Sequence, residues 1–193
     1  SNFHNDLFPK SWDKHVIYFM IPDWVYEHSI PENKKDYIYA SSLMKGYSST
    51  LPLWKYLKNE KLLTKTDVLN VCLPGYDNPT QDISEKDYGI NYFGTLKFKE
   101  VIELMAKCRG MFYVNTMPET FGISVVLADI LKTTPFVYGV NGLGSLSELI
   151  NNKNLTTDMQ EYINMFKTYS SLNETPRNFR PKMVIKWWKK VLI

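Results

Sequence analysis

"MFYVNTMPETFGISVVLADILKTTPFVYGV", residues 111 to 140, decides how this chain folds. It opens on a short apolar run, MFYVN (111–115), and crosses a polar loop. It then enters GISVVLADILK (122–132), with apolar residues three or four apart, and closes on a second run, PFVYGV (135–140). Runs of strand length that are apolar throughout are covered on both faces, and two of them joined through one helix make a βαβ unit with parallel strands. The same alternation continues on either side. HVIYFMI (15–21), DYIYAS (36–41), VLNVCLPG (68–75) and INYFG (90–94) read as further strands. LPLWKYLKNEKLL (51–63), KFKEVIELMAKC (97–108), DMQEYINMFKTY (158–169) and PKMVIKWWKKVL (181–192) read as further helices. Residues 22–35 and 76–89, polar and carrying Pro, Asn and Asp, read as loops. The predicted fold class is α/β, a Rossmann-like parallel sheet with helices on both faces.

The bulk properties agree. A chain of 193 residues holds one substantial α/β domain, and 44% apolar with 15% aromatic residues supplies a packed core. The net charge of +3, densest in RPKMVIKWWKK, tolerates an anionic ligand without demanding nucleic acid, and the Trp residues at helical spacing read as core. Cys72 and Cys108 sit in separate apolar stretches and read as buried free thiols in a reducing compartment. No stretch reaches membrane-span length and no signal peptide is legible, so the sequence predicts a soluble, cytoplasmic protein. The opening SNFHNDLFPK reads as the middle of a longer protein.

In an open parallel sheet, ligands bind beyond the carboxyl ends of the strands, so the loops there hold the candidates. After DYIYAS comes SSLMKGYSST, where Lys45 and Gly46 precede a helix expected to start near Thr50 or Leu51 with Thr50 as its cap. Lys45 is either a phosphate-binding ammonium beside a glycine that admits the ligand, or a surface lysine in a turn. After MFYVN, a helix opening at Phe121 to Ile123 presents the free amides of Gly122, Ile123 and Ser124, a site for anions. Glu119 just before it either accepts bonds from sugar hydroxyls or answers the helix dipole. After PFVYGV, Gly142 and Gly144 either admit a ligand to the backbone or serve turns, and Thr95, Leu96 and Lys97 after INYFG could flank a nucleobase. His4, His15 and His28 have no metal-ligand spacing, and G-x-S-x-G, Walker and G-x-G-x-x-G signatures are missing, which counts against hydrolase, P-loop and dinucleotide chemistry.

YASSLMKG, INYFGTLKFKEVIELMAKC, MFYVNTMPETFGISVVLADIL, TPFVYGVNGLGSLSELI and a Trp-bearing last helix arrive in an order that resembles the C-terminal, donor-binding half of GT-B type glycosyltransferases. The nearest likeness is to the retaining, metal-independent family 4, with PETFGIS its strongest motif. The resemblance implies one half of a GT-B fold, with residues 1–35 as linker and 36–193 as the nucleotide-sugar binding domain. It implies a nucleoside diphosphate sugar as substrate, with no cofactor and no metal. Glu119 then stands near the donor sugar, and Lys45 neutralises the departing diphosphate. Gly46, Leu96, Phe121, Gly122, Ile123, Ser124 and Gly142 complete the donor site. The implied partner is an N-terminal acceptor domain, in this chain or another, with a glycan or peripheral membrane acceptor and no nucleic acid. Two positions depart from the pattern. Leu127 stands where the family has a second Glu, with Asp129 on another helix face, and serines replace the arginine before Lys45. A rival reading follows, a non-catalytic nucleotide-binding or scaffold module.

Overall fold

The computed structural model describes residues 18–75, 84–150, 154–168 and 176–191, with residues 6 and 9–11. Its centre is a six-stranded sheet of β1 (Lys35–Ala40), β2 (Leu69–Leu73), β3 (Ile90–Thr95), β4 (Cys108–Asn115), β5 (Thr134–Gly139) and β6 (Leu155–Thr156). The spatial order is β3-β2-β1-β4-β5-β6, and every pairing is parallel. The helices are α1 (Asp23–Tyr26), α2 (Tyr47–Asn59), α3 (Phe98–Lys107), α4 (Ile123–Ile130), α5 (Leu146–Leu149), α6 (Met159–Lys167) and α7 (Pro181–Val191).

Alternation along the strands sorts the apolar side chains into two cores, because successive residues point to opposite faces. Ile38, Cys72, Met111, Tyr113 and Val137 face α3, α4 and α5. Tyr37, Tyr39, Val71, Phe112 and Phe136 face α2 and α6. Both faces are covered, which is why the runs read as continuously apolar. The second core is largely aromatic: Phe166 of α6 stacks on Phe136 at 4.3 Å and on Phe112 at 5.0 Å. Gly110 makes room for it, since a Cβ there would lie 2.7 Å from both Phe136 and Tyr37.

Several local expectations change. Residues 15–17 of the predicted first strand lie outside the described residues, and 18–21 form no strand. Tyr18 and Ile21 instead pack on the C-terminal segment: the Ile21 amide donates to the Phe179 carbonyl at 2.9 Å, and the Tyr18 and Phe179 rings meet at 5.7 Å. Residues 18–34, expected in a linker, thereby bury Ile21 and Val25 in the core beside α4. The second helix starts at Tyr47, so Thr50 lies in its first turn, its hydroxyl donating to the Gly46 carbonyl at 3.0 Å. Strand β4 begins at Cys108, directly after α3. Two-residue β6 is too short to show a period. Of the tryptophans, Trp54 is buried and Trp187 packs on Tyr18, whereas Trp24 and Trp188 are exposed.

Candidate functional site

Strands β1 and β4 lie side by side at the centre, and their following connections run to opposite sides of the sheet. Between them opens the crevice where open α/β sheets bind ligands. The loops entering it are residues 41–46 after β1 and 116–122 after β4.

The first loop is held by its own side chains. Ser42 Oγ accepts the Met44 amide at 3.2 Å, capping a 3-10 turn over Leu43–Lys45. Gly46 follows at φ +104°, and a Cβ there would lie 1.9 Å from the Val114 carbonyl oxygen. Only glycine allows this turn to lie against the end of β4. That contact aims Lys45 at the second loop, where its Nζ sits 2.9 Å and 3.1 Å from the two carboxylate oxygens of Glu119. The Lys45 side chain is 38% exposed and that of Glu119 only 5%.

Glu119 has further partners. The Tyr113 hydroxyl, at the end of β4, donates to Oε2, and the Thr120 amide donates to Oε1 at 3.1 Å. Ser41 in turn hydrogen-bonds the Tyr113 hydroxyl. Burial alone would push the Glu119 carboxyl up. The Tyr113 hydroxyl, the Lys45 ammonium and the Thr120 amide more than offset it, and the carboxyl titrates below its ordinary 4.5. Burial and the Glu119 charge push the Tyr113 phenol far up, so it stays a donor at any ordinary pH. The Glu119 backbone is fixed as well, its carbonyl accepting the Ser145 amide at 2.8 Å and the Ser145 hydroxyl at 3.0 Å. Gly144 permits this approach, because a Cβ there would meet the Glu119 backbone at 2.3 Å.

Helix α4 starts as expected. Gly122 is its N-cap at φ +65°, and a Cβ there would lie 2.4 Å from Leu146 and 2.9 Å from Glu119 Cγ. Among the described residues nothing accepts a bond from the amides of Gly122, Ile123 and Ser124. Helix starts of this kind carry partial positive charge.

A cavity of about 360 Å³ opens here, and Lys45, Ile123 and Ser124 are among the residues that line it. Much of its lining is apolar: Leu127 from α4, Val101 and Met105 from α3, Cys72 and Leu73 from β2, and Leu96. The structure thus brings Lys45, Leu96, Ile123 and Ser124 to one cavity, with Gly46 and Gly122 shaping its rim. Glu119 stands behind Lys45 rather than in the lining. Phe121 is buried against Tyr18, Phe19 and Phe179, where it anchors the helix start. Gly142 closes a turn, its amide donating to the Gly139 carbonyl at 3.1 Å. Sequence reasoning missed Tyr113, Ser41 and Ser145; the available signals were the place of the first two at strand ends and of Ser145 before a short helix. Cys72 and Cys108 are free and buried, and burial pushes both thiols up to about 12. Among the described residues no three His, Cys, Asp or Glu side chains converge as metal ligands, and no helix is long and apolar enough to cross a membrane.

No protein-family model and no curated protein matches the chain. Among solved structures it is similar to AviGT4, a glycosyltransferase involved in avilamycin A biosynthesis, with a TM-score of 0.57 at 12% identity. The match covers 92% of this chain and 57% of that one. The chain has the Rossmann-like fold of one half of a GT-B glycosyltransferase. At this identity the likeness speaks for the fold, and the chain spans little more than half the length of that protein.

Proposed function

We propose that the chain is the donor-binding half of a retaining, metal-independent glycosyltransferase that uses a nucleoside diphosphate sugar. The observation that carries this reading is the convergence on one cavity of the half-exposed Lys45 ammonium and the open amides of Ile123 and Ser124. A leaving diphosphate gains negative charge as the sugar's anomeric C–O bond breaks, and fixed cations and helix amides aimed there stabilise the transition state. The new bond forms from the same anomeric carbon to an acceptor oxygen, whose proton leaves with the diphosphate or to solvent. In this reading Glu119, ionised and adjoining Lys45, fixes the lysine in place and lends negative charge from behind it to the sugar's reacting centre. Orienting the acceptor requires a second domain, in this chain or a partner, with a glycan or membrane-surface acceptor. The span of 57% of AviGT4 fits that need.

Two observations favour the rival, a binding module without activity. Lys45 is already neutralised by Glu119, and Leu127 presents no polar group. Calorimetry of the chain with UDP, GDP and ADP separates the two. Binding by at least one, with Lys45→Ala weakening the diphosphate much more than the matching nucleoside, is the expected result. No binding at millimolar concentration sinks the donor-site reading.

A further inference from the structure

We infer that the outer side of α7 is a docking surface for an anionic lipid bilayer, on which the helix lies along the headgroup layer. The inference is independent of what the cavity binds. Helix α7 carries four lysines, Lys182, Lys186, Lys189 and Lys190, and no acidic residue between Pro181 and Val191. Its inner side is fixed to the fold: Val184 is fully buried, and Trp187 meets the Tyr18 ring edge to face at 5.5 Å. The spacing that reads as core in the sequence thus holds for Trp187. It fails for Trp188, which is 43% exposed, and Ile185, nearly one turn back on the same side, is 45% exposed.

At about 100° per residue, these positions fall into three sectors around the helix. Val184 and Trp187 mark the buried one. Trp188 and Ile185 come next, so the apolar stripe runs on past the part that the protein covers. The lysines follow directly, Lys189 about 40° and Lys182 about 60° beyond Ile185, with Lys186 and Lys190 further round, and all four are exposed. A helix at a membrane interface has this order. Apolar side chains enter the boundary of the acyl chains, Trp sits at headgroup level, and lysine stems extend along the edge so that their ammonium groups reach lipid phosphates.

A bilayer fits this face better than other anionic surfaces do. Nucleic acid offers phosphates to the lysines and a base to Trp188, but leaves Ile185 in water. A protein groove wraps a helix, whereas α7 is already covered on one side and presents only its outer sectors. The 11 residues of α7 span about 16 Å, well short of the ~30 Å hydrocarbon core, so the helix lies on the bilayer rather than across it. Each lysine near an anionic surface strengthens binding about fivefold, and salt screens that gain.

The test sediments the chain with vesicles of phosphatidylcholine alone and of phosphatidylcholine mixed with phosphatidylserine, at low and high salt. Binding to the mixed vesicles is expected to be at least about tenfold stronger than to the neutral ones, and to weaken with salt. Equal binding to both, or to neither, overturns the inference and leaves the donor-site reading standing. Lys186→Gln with Lys189→Gln should weaken binding about tenfold or more. Lys65→Gln with Lys99→Gln, at exposed lysines outside α7, should weaken it no more than about threefold. Equal losses in the two pairs overturn the inference, because net charge alone would then act. Trp188→Ser should weaken binding at least about threefold, and unchanged binding in the folded variant reduces the face to a charge patch and overturns the inference. If that variant does not fold, tryptophan emission of the unsubstituted chain decides: quenching by brominated phosphatidylcholine in the mixed vesicles supports insertion, and no quenching overturns it. A single-stranded oligonucleotide that binds through Lys186 and Lys189 while vesicles do not would assign the face to nucleic acid instead.

Discussion

Glu119 is a buried carboxylate whose charge is kept by three donors, and that has two consequences. Because its folded pKa lies below the ordinary 4.5, it adds stability that is fully present above that pH and is lost as pH falls through the folded value. Glu119→Gln should therefore flatten the acid limb of urea stability measured between pH 6 and 3. Tyr113→Phe removes the first of the lowering causes, which raises the folded pKa toward 4.5 and makes the same limb shallower. An unchanged limb in both variants would place the acid sensitivity elsewhere. The second consequence concerns the ligand. A diphosphate must share Lys45 with a carboxylate of like sign, so Glu119→Gln should tighten nucleoside diphosphate binding about 3- to 10-fold, by removing roughly 1 kcal/mol of repulsion screened at this half-exposed site. On the proposed function, the same variant combined with an acceptor domain should lose sugar transfer, which separates gripping the phosphate from stabilising the sugar.

At the scale of elements, the site depends on two places where the chain comes too close for a side chain. Gly46 carries the first loop against the Val114 carbonyl in a left-handed conformation. Gly46→Ala combines that backbone strain with a clash against main chain, and should cost more than about 1 kcal/mol in urea unfolding while moving Lys45 away from Glu119. Its diphosphate affinity should then fall toward that of Lys45→Ala. Gly110 tests the sheet instead of the site. Gly110→Val inserts three carbons between Tyr37 and Phe136, an overpacking expected to cost about 1 to 3 kcal/mol, with no specific effect on the ratio of diphosphate to nucleoside affinity. Positions such as these are recognisable as glycine in the sequence, but what they approach is not.

At the scale of the whole molecule, residues 18–27 and 179–180 meet beside Phe121, next to the start of α4. Phe179 is buried against Tyr18 and Phe121, and Arg180 bonds Asp23 at 3.0 Å and Glu27 at 3.3 Å. Those ion pairs are exposed and contribute little, so the ring carries the contact. Phe179→Ala should cost about 3 to 5 kcal/mol and also weaken diphosphate binding, because Phe121 immediately precedes the cap of α4. A loss of stability with full diphosphate affinity would detach this clasp from the site. The sequence alone determined the strands from DYIYAS to PFVYGV, the helices between and after them, and the loops where chemistry could sit. These follow from hydrophobic period, turn residues and the rule that parallel sheets are covered on both faces, all of them properties of neighbours in the chain. It left Lys45 between two readings, took HVIYFMI for a strand, and gave no sign of Tyr113 or of the cavity lining at Leu127. Only the tertiary structure decided these. The order β3-β2-β1-β4-β5-β6 brings Lys45 to Glu119 across 74 residues, and which strand neighbours which is a contest among buried surfaces far apart in sequence that no local pattern records.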